Sequence, residues 1–173
     1  KSIYWTADAK KLFDDCVNGG IYFQNDASVV AQGEAVYGAG KGYQVVAYLT
    51  VSTGVGGARV VGGKLDESVI GFEPGHQILD IEEGGEVQRL EDLISGAAIE
   101  KKYGMKPEFI SDKRVWDELG RYLAFGVNNV LMHWSPDVLV LGGSMIVGSP
   151  AISIETTSVY LKRVYAISSS PPD

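Results

Sequence analysis

The side chains of this sequence that could do chemistry fall into three groups, each set off by glycine. Asn25-Asp26 stands where an apolar run, Ile21-Tyr22-Phe23, meets a helical pattern. A carboxylate at a strand end can take a proton from a substrate hydroxyl. The same two side chains can equally cap the helix by accepting from the free N–H groups of its first turn. Thr53-Gly54-Val55-Gly56-Gly57 lies between two strand-like runs. Residues without a Cβ let main-chain N–H groups approach an anion, and Thr53 adds a hydroxyl; a plain tight turn uses the same residues. Because no helix follows, the loop is neither a dinucleotide fingerprint nor a Walker A loop, both of which open a helix. In the third group, Glu73-Pro74-Gly75-His76 forms a turn that exposes a carboxylate and an imidazole, and Glu91 opens a later helix. Such groups can hydrogen-bond several sugar hydroxyls, while an acid in a first helical turn also suits the helix dipole. His133, beside Trp134 on a long helix, reads as structural.

These groups need elements to position them. Ala7 to Val17 reads as a short helix and Ile21-Tyr22-Phe23 as a strand. Asn25 or Asp26 caps a helix that runs to about Tyr37 and is ended by Gly38-Ala39-Gly40. Gln44 to Val51, almost wholly apolar and β-branched, predicts a buried strand. Residues 52–57 are a loop, Ala58 to Val61 a second strand, and Gly62-Gly63 a turn. Glu67 to Gly85 is irregular, with a short strand at Gln77–Ile81. Arg89 to Tyr103 predicts one helix ended by Gly104. In Asp112–Trp134, with Ser111 as cap, Val115, Leu119, Tyr122, Leu123, Val127, Val130, Leu131 and Trp134 recur at steps that place them on one face. After Pro136, Val138 to Leu141 is a buried strand stopping at Gly142-Gly143, and Ile152 to Val164 is a last amphipathic stretch. Strands first, then helix–strand–helix, predict a mixed α/β domain.

Composition narrows the function classes. The 173 residues suffice for one domain with a substantial core. A net charge of −7 argues against a nucleic-acid partner, because phosphate binding needs Lys and Arg clustered on one face. Lys10-Lys11 and Lys101-Lys102 are pairs, not such a cluster. The single cysteine, Cys16, excludes an internal disulfide and a Cys-only metal site. No apolar run is long enough to cross a membrane, and Lys1-Ser2-Ile3-Tyr4-Trp5 lacks the apolar core of a signal peptide. A reducing, cytoplasmic setting is expected.

Taken in order, the motifs resemble those of the ROK family of sugar kinases and sugar-responsive repressors. The matching text is Asn25-Asp26-Ala27, Gly33-Glu34 and Tyr37-Gly38-Ala39-Gly40, then Tyr48 to Gly57 and Gly62-Gly63-Lys64-Leu65. It continues with Glu73-Pro74-Gly75-His76, Leu90-Glu91, Ser95-Gly96-Ala97-Ala98 and Pro136-Asp137-Val138-Leu139-Val140-Leu141-Gly142-Gly143. Each motif is common by itself; the ordered set, from about Trp5 to Gly143, is specific.

The resemblance implies an actin-like (ribonuclease H-like) ATPase fold, a mixed sheet flanked by helices, with this chain as the larger C-terminal half. The N-terminal ATPase subdomain and the closing C-terminal helix would lie outside it. It implies that Asp26 is the catalytic base, that Asn25, Glu73, His76 and Glu91 bind the sugar, that Thr53 and Gly54 contact ATP phosphates, and that Gly142 and Gly143 lie near the adenosine. The cofactors would be ATP and Mg²⁺. Many members hold zinc through the Gly-His motif and three following cysteines; residues 79–89 carry no cysteine, so no zinc is expected here. The implied activity is phosphoryl transfer from ATP to a sugar hydroxyl by the intact protein, with this part alone inactive. A sugar-sensing, repressor-like domain without catalysis is the alternative reading. A silent remnant acting by self-association is a third, and a homodimer is compatible with each.

Overall fold

The computed structural model describes residues 23–66, 71–81 and 84–165. The expected helix at 7–17, Cys16, the apolar pair Ile21-Tyr22 and the Ser/Pro-rich end of the chain lie outside the described residues; Phe23 is not in a strand.

The order is α1 (Asp26–Val36), β1 (Val45–Val51), β2 (Val55–Val61), β3 (Lys64–Leu65), a 3₁₀ turn (Pro74–His76), β4 (Ile78–Ile81), β5 (Val87–Arg89), α2 (Leu90–Ile94) and α3 (Gly96–Tyr103). A second 3₁₀ turn (Pro107–Phe109), α4 (Lys113–Trp134), β6 (Val138–Gly142), α5 (Ser144–Val147) and α6 (Ile154–Val164) follow. One mixed sheet runs β3-β2-β1-β6, and β4-β5 form a separate ribbon. β1 and β2 are antiparallel, from Val45 opposite Val61 to Val51 opposite Val55. β6 returns parallel to β1, from Val46 beside Val138 to Thr50 beside Gly142.

The two-residue period of β1 divides the core. Val46 and Tyr48 face α1 with Ala31, Ala35, Ala58 and Val60. Leu49 and Val51 face the other side, where Leu90, Ile94, Trp116, Leu119 and Leu123 from α2 and α4 cover them. Leu49, Leu90, Ile94 and Leu123 have 0% exposure, and burying each such side chain contributes about 1.5–3 kcal/mol. The sheet is thus fixed between helical layers, and its loops at one end are free to form a site.

Most expected elements are present, with several differences. β2 begins at Val55, not Ala58: Ser52 N–H donates to the Gly54 carbonyl at 2.8 Å, closing a turn of only Ser52-Thr53-Gly54. Gly56 and Gly57 look like turn residues but are strand residues, because Gly57 must let the Tyr48 carbonyl and the Pro74 ring come close. The expected helix over 89–103 is two helices broken at Ser95, whose extended backbone (ψ 152°) starts α3 while its hydroxyl accepts from Ala98 N–H at 3.1 Å. Asp112 rather than Ser111 caps α4, accepting from Arg114 N–H at 3.0 Å. The short strands β3 and β5 complete hairpins that the turn residues alone do not reveal. Buried Trp116 joins the core face of α4, donating its indole N–H to the Ile110 carbonyl at 2.9 Å.

Candidate functional site

A cleft of ≈ 650 Å³ opens at the end of the sheet, and Asn25, Asp26, Thr53, Gly54, Glu73 and Glu91 all line it. Each arrives by a different local mechanism. Asn25 caps α1, its Oδ1 accepting from Ser28 N–H at 3.2 Å. Asp26, the first residue of α1, is exposed, and its Oδ1 accepts from Ala27 N–H at 2.8 Å. Among the described residues no hydrogen bond engages Asp26 Oδ2, and Asp26 lines the cleft. α1 reaches the hairpin because Ala27 packs on Gly56: a Cβ on Gly56 would lie 3.4 Å from that of Ala27.

The turn Ser52-Thr53-Gly54 is held from two sides. Gly96 N–H donates to the Ser52 carbonyl at 2.7 Å, and Ala97 N–H to the Thr53 carbonyl at 3.1 Å, so the first N–H groups of α3 are spent on the turn. On the other side Glu91 Oε2 accepts from Val55 N–H at 2.8 Å. Glu73 is placed by the Pro74–His76 turn, whose Gly75 lies directly against the Val55 carbonyl.

His76 does not line this cleft. It lines an adjoining cavity of ≈ 340 Å³ with Glu73, Gln77, Asn129, His133 and Trp134. Its Nδ1 lies 3.6 Å from Glu73 Oε2, so Glu73 stands as the wall between the two spaces. Phe72 and Trp134 meet edge to face there, with ring centroids 4.7 Å apart.

A further cavity, of ≈ 320 Å³, shares Ser52 and Thr53 with the main cleft and is otherwise lined by residues such as Gly96, Ala97, Lys106, Ser144 and Met145. Gly142 and Gly143 line neither space. Gly143 (φ +93°) passes directly under the Val51 carbonyl, and a Cβ on Gly142 would stand 2.6 Å from the Tyr48 hydroxyl. Their role is to bring the next residue, Ser144, within 3.0 Å of Ser52, Oγ to Oγ. Ser52 and Ser144 were not singled out by the sequence, since the two are 92 positions apart and only the parallel β1–β6 register joins them. The usable signal was the hydroxyl residue directly after Gly142-Gly143.

Among the described residues, no three His, Cys, Asp or Glu side chains are close enough together to hold a metal ion. Among the same residues, no helix is long and apolar enough to cross a membrane.

The sequence pattern of the ROK family matches residues 3–164. A fructokinase of Lactococcus lactis subsp. cremoris is 30% identical over 78% of this chain and 49% of its own length. A xylose repressor of Bacillus spizizenii is 27% identical over 91% of this chain and 46% of its own length. The solved ROK hexokinase of Thermus thermophilus superposes with a TM-score of 0.75 at 26% identity, over 94% of this chain and 63% of that one. This chain therefore spans about half the length of the relatives it matches. Pattern and superposition agree: the chain belongs to the ROK family and has its actin-like ATPase fold.

Proposed function

We propose that these residues form the sugar-binding, base-bearing half of an ATP-dependent hexose kinase. The observation that carries this reading is the convergence of Asn25, Asp26, Glu73 and Glu91 with Thr53 and Gly54 on one cleft. Asn25, Asp26 and Glu73 are polar groups able to orient a polyhydroxylated ring. Thr53 and Gly54 offer a hydroxyl and a residue without a Cβ, suited to phosphate, and the Glu91 carboxylate stands directly against that turn.

On this reading the sugar lies among Asn25, Glu73 and Glu91, with one hydroxyl toward Asp26. That hydroxyl attacks the γ-phosphorus of ATP, its proton passes to Asp26, and the bond from phosphorus to the ADP oxygen breaks. Positioning and charge stabilisation supply most of the acceleration in such transfers. The Thr53 hydroxyl and the open face of Gly54 meet the phosphates, and the adenosine end extends past Ser52 toward Ser144 in the adjoining cavity. Mg²⁺, when bound, would neutralise charge on the phosphate oxygens; among the residues lining the cleft, Thr53 and Asp26 would offer it oxygen donors. The 173 residues hold the triphosphate from one side only, and alone they are expected not to turn over. His76 acts on the sugar through Glu73 rather than from within the cleft.

Asp26→Asn in the intact protein tests the reading. It should lower kcat by about 10²–10⁴-fold, the usual worth of a positioned base, and leave calorimetric hexose binding nearly unchanged. Wild-type turnover by the variant would reduce Asp26 to a helix residue and end the proposal. The similarity to a xylose repressor supports a second reading, a sugar-sensing domain; it predicts hexose or pentose binding by the intact wild-type protein with no ATP-dependent phosphorylation.

A further inference from the structure

Glu91 does more than line the sugar end of the cleft. Its Oε2 accepts from Val55 N–H at 2.8 Å, closing the far side of the Ser52-Thr53-Gly54 turn. The same oxygen covers the α-carbon of Gly54, where an added Cβ would lie 2.7 Å from it. Gly54 does not have a positive φ, so the space it leaves, not its backbone freedom, is what the site uses. No hydrogen bond reaches Glu91 Oε1 among the described residues, and the side chain is half-buried. One carboxylate that lines the cleft therefore holds the turn through one oxygen and keeps the other free of hydrogen bonds among the described residues.

We infer that Glu91 is a latch that couples the two ends of the cleft: a hydroxyl ligand on Oε1 fixes the carboxylate, and the fixed carboxylate holds the Thr53-Gly54 turn in its phosphate-receiving form. The inference rests on the proposed kinase site for the identity of the two ligands, but the latch itself is a property of the Glu91, Gly54 and Val55 contact. The physical basis is ordering. Oε2 is one of four contacts that tie this turn to its surroundings; those from Gly96 and Ala97 are neutral main-chain bonds, and that between Ser52 Oγ and Ser144 Oγ joins two neutral hydroxyls. The one made by Glu91 is the only charged contact among them and the strongest. A ligand that restricts rotation of the Glu91 side chain lowers the ordering cost for a second ligand bound at the turn, and linkage makes the effect reciprocal.

The test uses the intact protein with glucose or fructose and the non-hydrolysable analogue AMPPNP, together with amide hydrogen exchange of the unliganded protein. In wild type, saturating hexose should tighten AMPPNP binding by about fivefold or more. Glu91→Ala should expose the Val55 amide to exchange, leave the Gly96 and Ala97 amides protected, and weaken AMPPNP by about tenfold, the scale of one hydrogen bond to a charged group. Glu91→Gln retains an acceptor for Val55 N–H, so it should restore Val55 protection and most of the AMPPNP affinity while hexose affinity stays reduced. Gly54→Ala works from the other end: its Cβ displaces only the flexible tip of Glu91, so the fold survives, yet hexose affinity should fall although Gly54 belongs to the phosphate turn. Val55 protection and AMPPNP affinity unchanged in Glu91→Ala would overturn the latch. Hexose affinity unchanged in Gly54→Ala would overturn the coupling. If no hexose binds wild type while Glu91→Ala still frees Val55 and weakens AMPPNP, the sugar reading fails and the latch stands.

Discussion

Asp137 and Val45 are joined by a reciprocal pair of hydrogen bonds: Asp137 N–H donates to the Val45 carbonyl at 2.8 Å, and Asp137 Oδ2 accepts from Val45 N–H at 2.8 Å. The pair lies one step before the parallel β1–β6 register begins at Val46 and Val138. A strand slip of one residue would turn every side chain to the other face. It would also move Gly142-Gly143 away from the end of β1 and separate Ser144 from Ser52. The aspartate of the Pro136-Asp137 motif is therefore a register pin for the site, remote from the chemistry.

Asp137→Ala should cost about 1 kcal/mol, the net worth of one hydrogen bond, read as a lower midpoint in urea unfolding with an unchanged slope. Asp137→Asn keeps an oxygen acceptor and should recover most of the loss. A midpoint unchanged in Asp137→Ala would show that main-chain pairing alone sets the register.

Gly57→Ala is the sharpest steric test of how the Glu73 turn is seated. The new methyl would run into the Tyr48 carbonyl and lie 2.9 Å from Pro74 Cγ. Overpacking of this kind costs about 1–3 kcal/mol. The strand cannot move, since its neighbour is central to the sheet, so the Pro74–His76 turn should shift and carry Glu73 with it. The expected result is lower stability together with weaker sugar binding. Wild-type thermal stability would show that the turn has room that the structure does not indicate.

Much of this architecture is legible in the sequence because it rests on local physics. The α4 pattern of three- and four-residue steps, the apolar β1 run and the glycine after α3 each report a nearby cause. Asn25 and Asp26 read both as cap and as site; Asn25 is the cap, Asp26 is the first residue of α1, and both line the cleft. What was hidden depends on distant partners. Ser95 looks like an ordinary helix residue until its hydroxyl is found on Ala98 N–H and the following N–H groups on the hairpin turn. Gly56 and Gly57 read as turn because glycine is frequent in turns; only the packing of Ala27 and Pro74 explains them as strand. His76 reads as equivalent to Glu73 in the Glu-Pro-Gly-His motif, but of the two only Glu73 reaches the main cleft as well as the rear cavity.

Acid should destabilise the fold partly through two exposed carboxylates. Hydrogen bonds from the Arg114 side chain, then from its main-chain N–H, hold Asp112 below its usual range. A main-chain bond at its own N–H and then the Ser153 hydroxyl do the same for Glu155. Both folded-state values lie below the unfolded ones, so their stabilisation is present above the unfolded carboxylate pKa and is lost as pH falls below about 4. Thermal midpoints measured from pH 7 down to acid should fall. In Asp112→Asn the fall should be shallower, since Asn still caps α4 but carries no charge. Raising the salt should shrink the difference between the two proteins, because both groups are at the surface. An identical acid profile in Asp112→Asn would mean the capping contact is equally strong when Asp112 is protonated.

The unequal reach of Glu73 and His76 makes a last, quantitative prediction. Glu73 lines both the main cleft and the rear cavity, whereas His76 lines only the rear one. If Glu73 touches the sugar and His76 merely holds Glu73, the two side chains act in series. Glu73→Gln removes a charged acceptor from the ligand and should weaken hexose binding by about tenfold or more. His76→Ala removes an exposed contact at 3.6 Å, and exposed pairs are worth about 0.2–1 kcal/mol, so the loss should be no more than about fivefold. The double variant should bind no worse than Glu73→Gln alone, because residues acting through one another are not additive. Calorimetric titration of the intact protein with a hexose gives all four affinities. Additive losses would place the imidazole on the sugar itself and require the Pro74–His76 turn to rotate His76 into the main cleft when ligand binds.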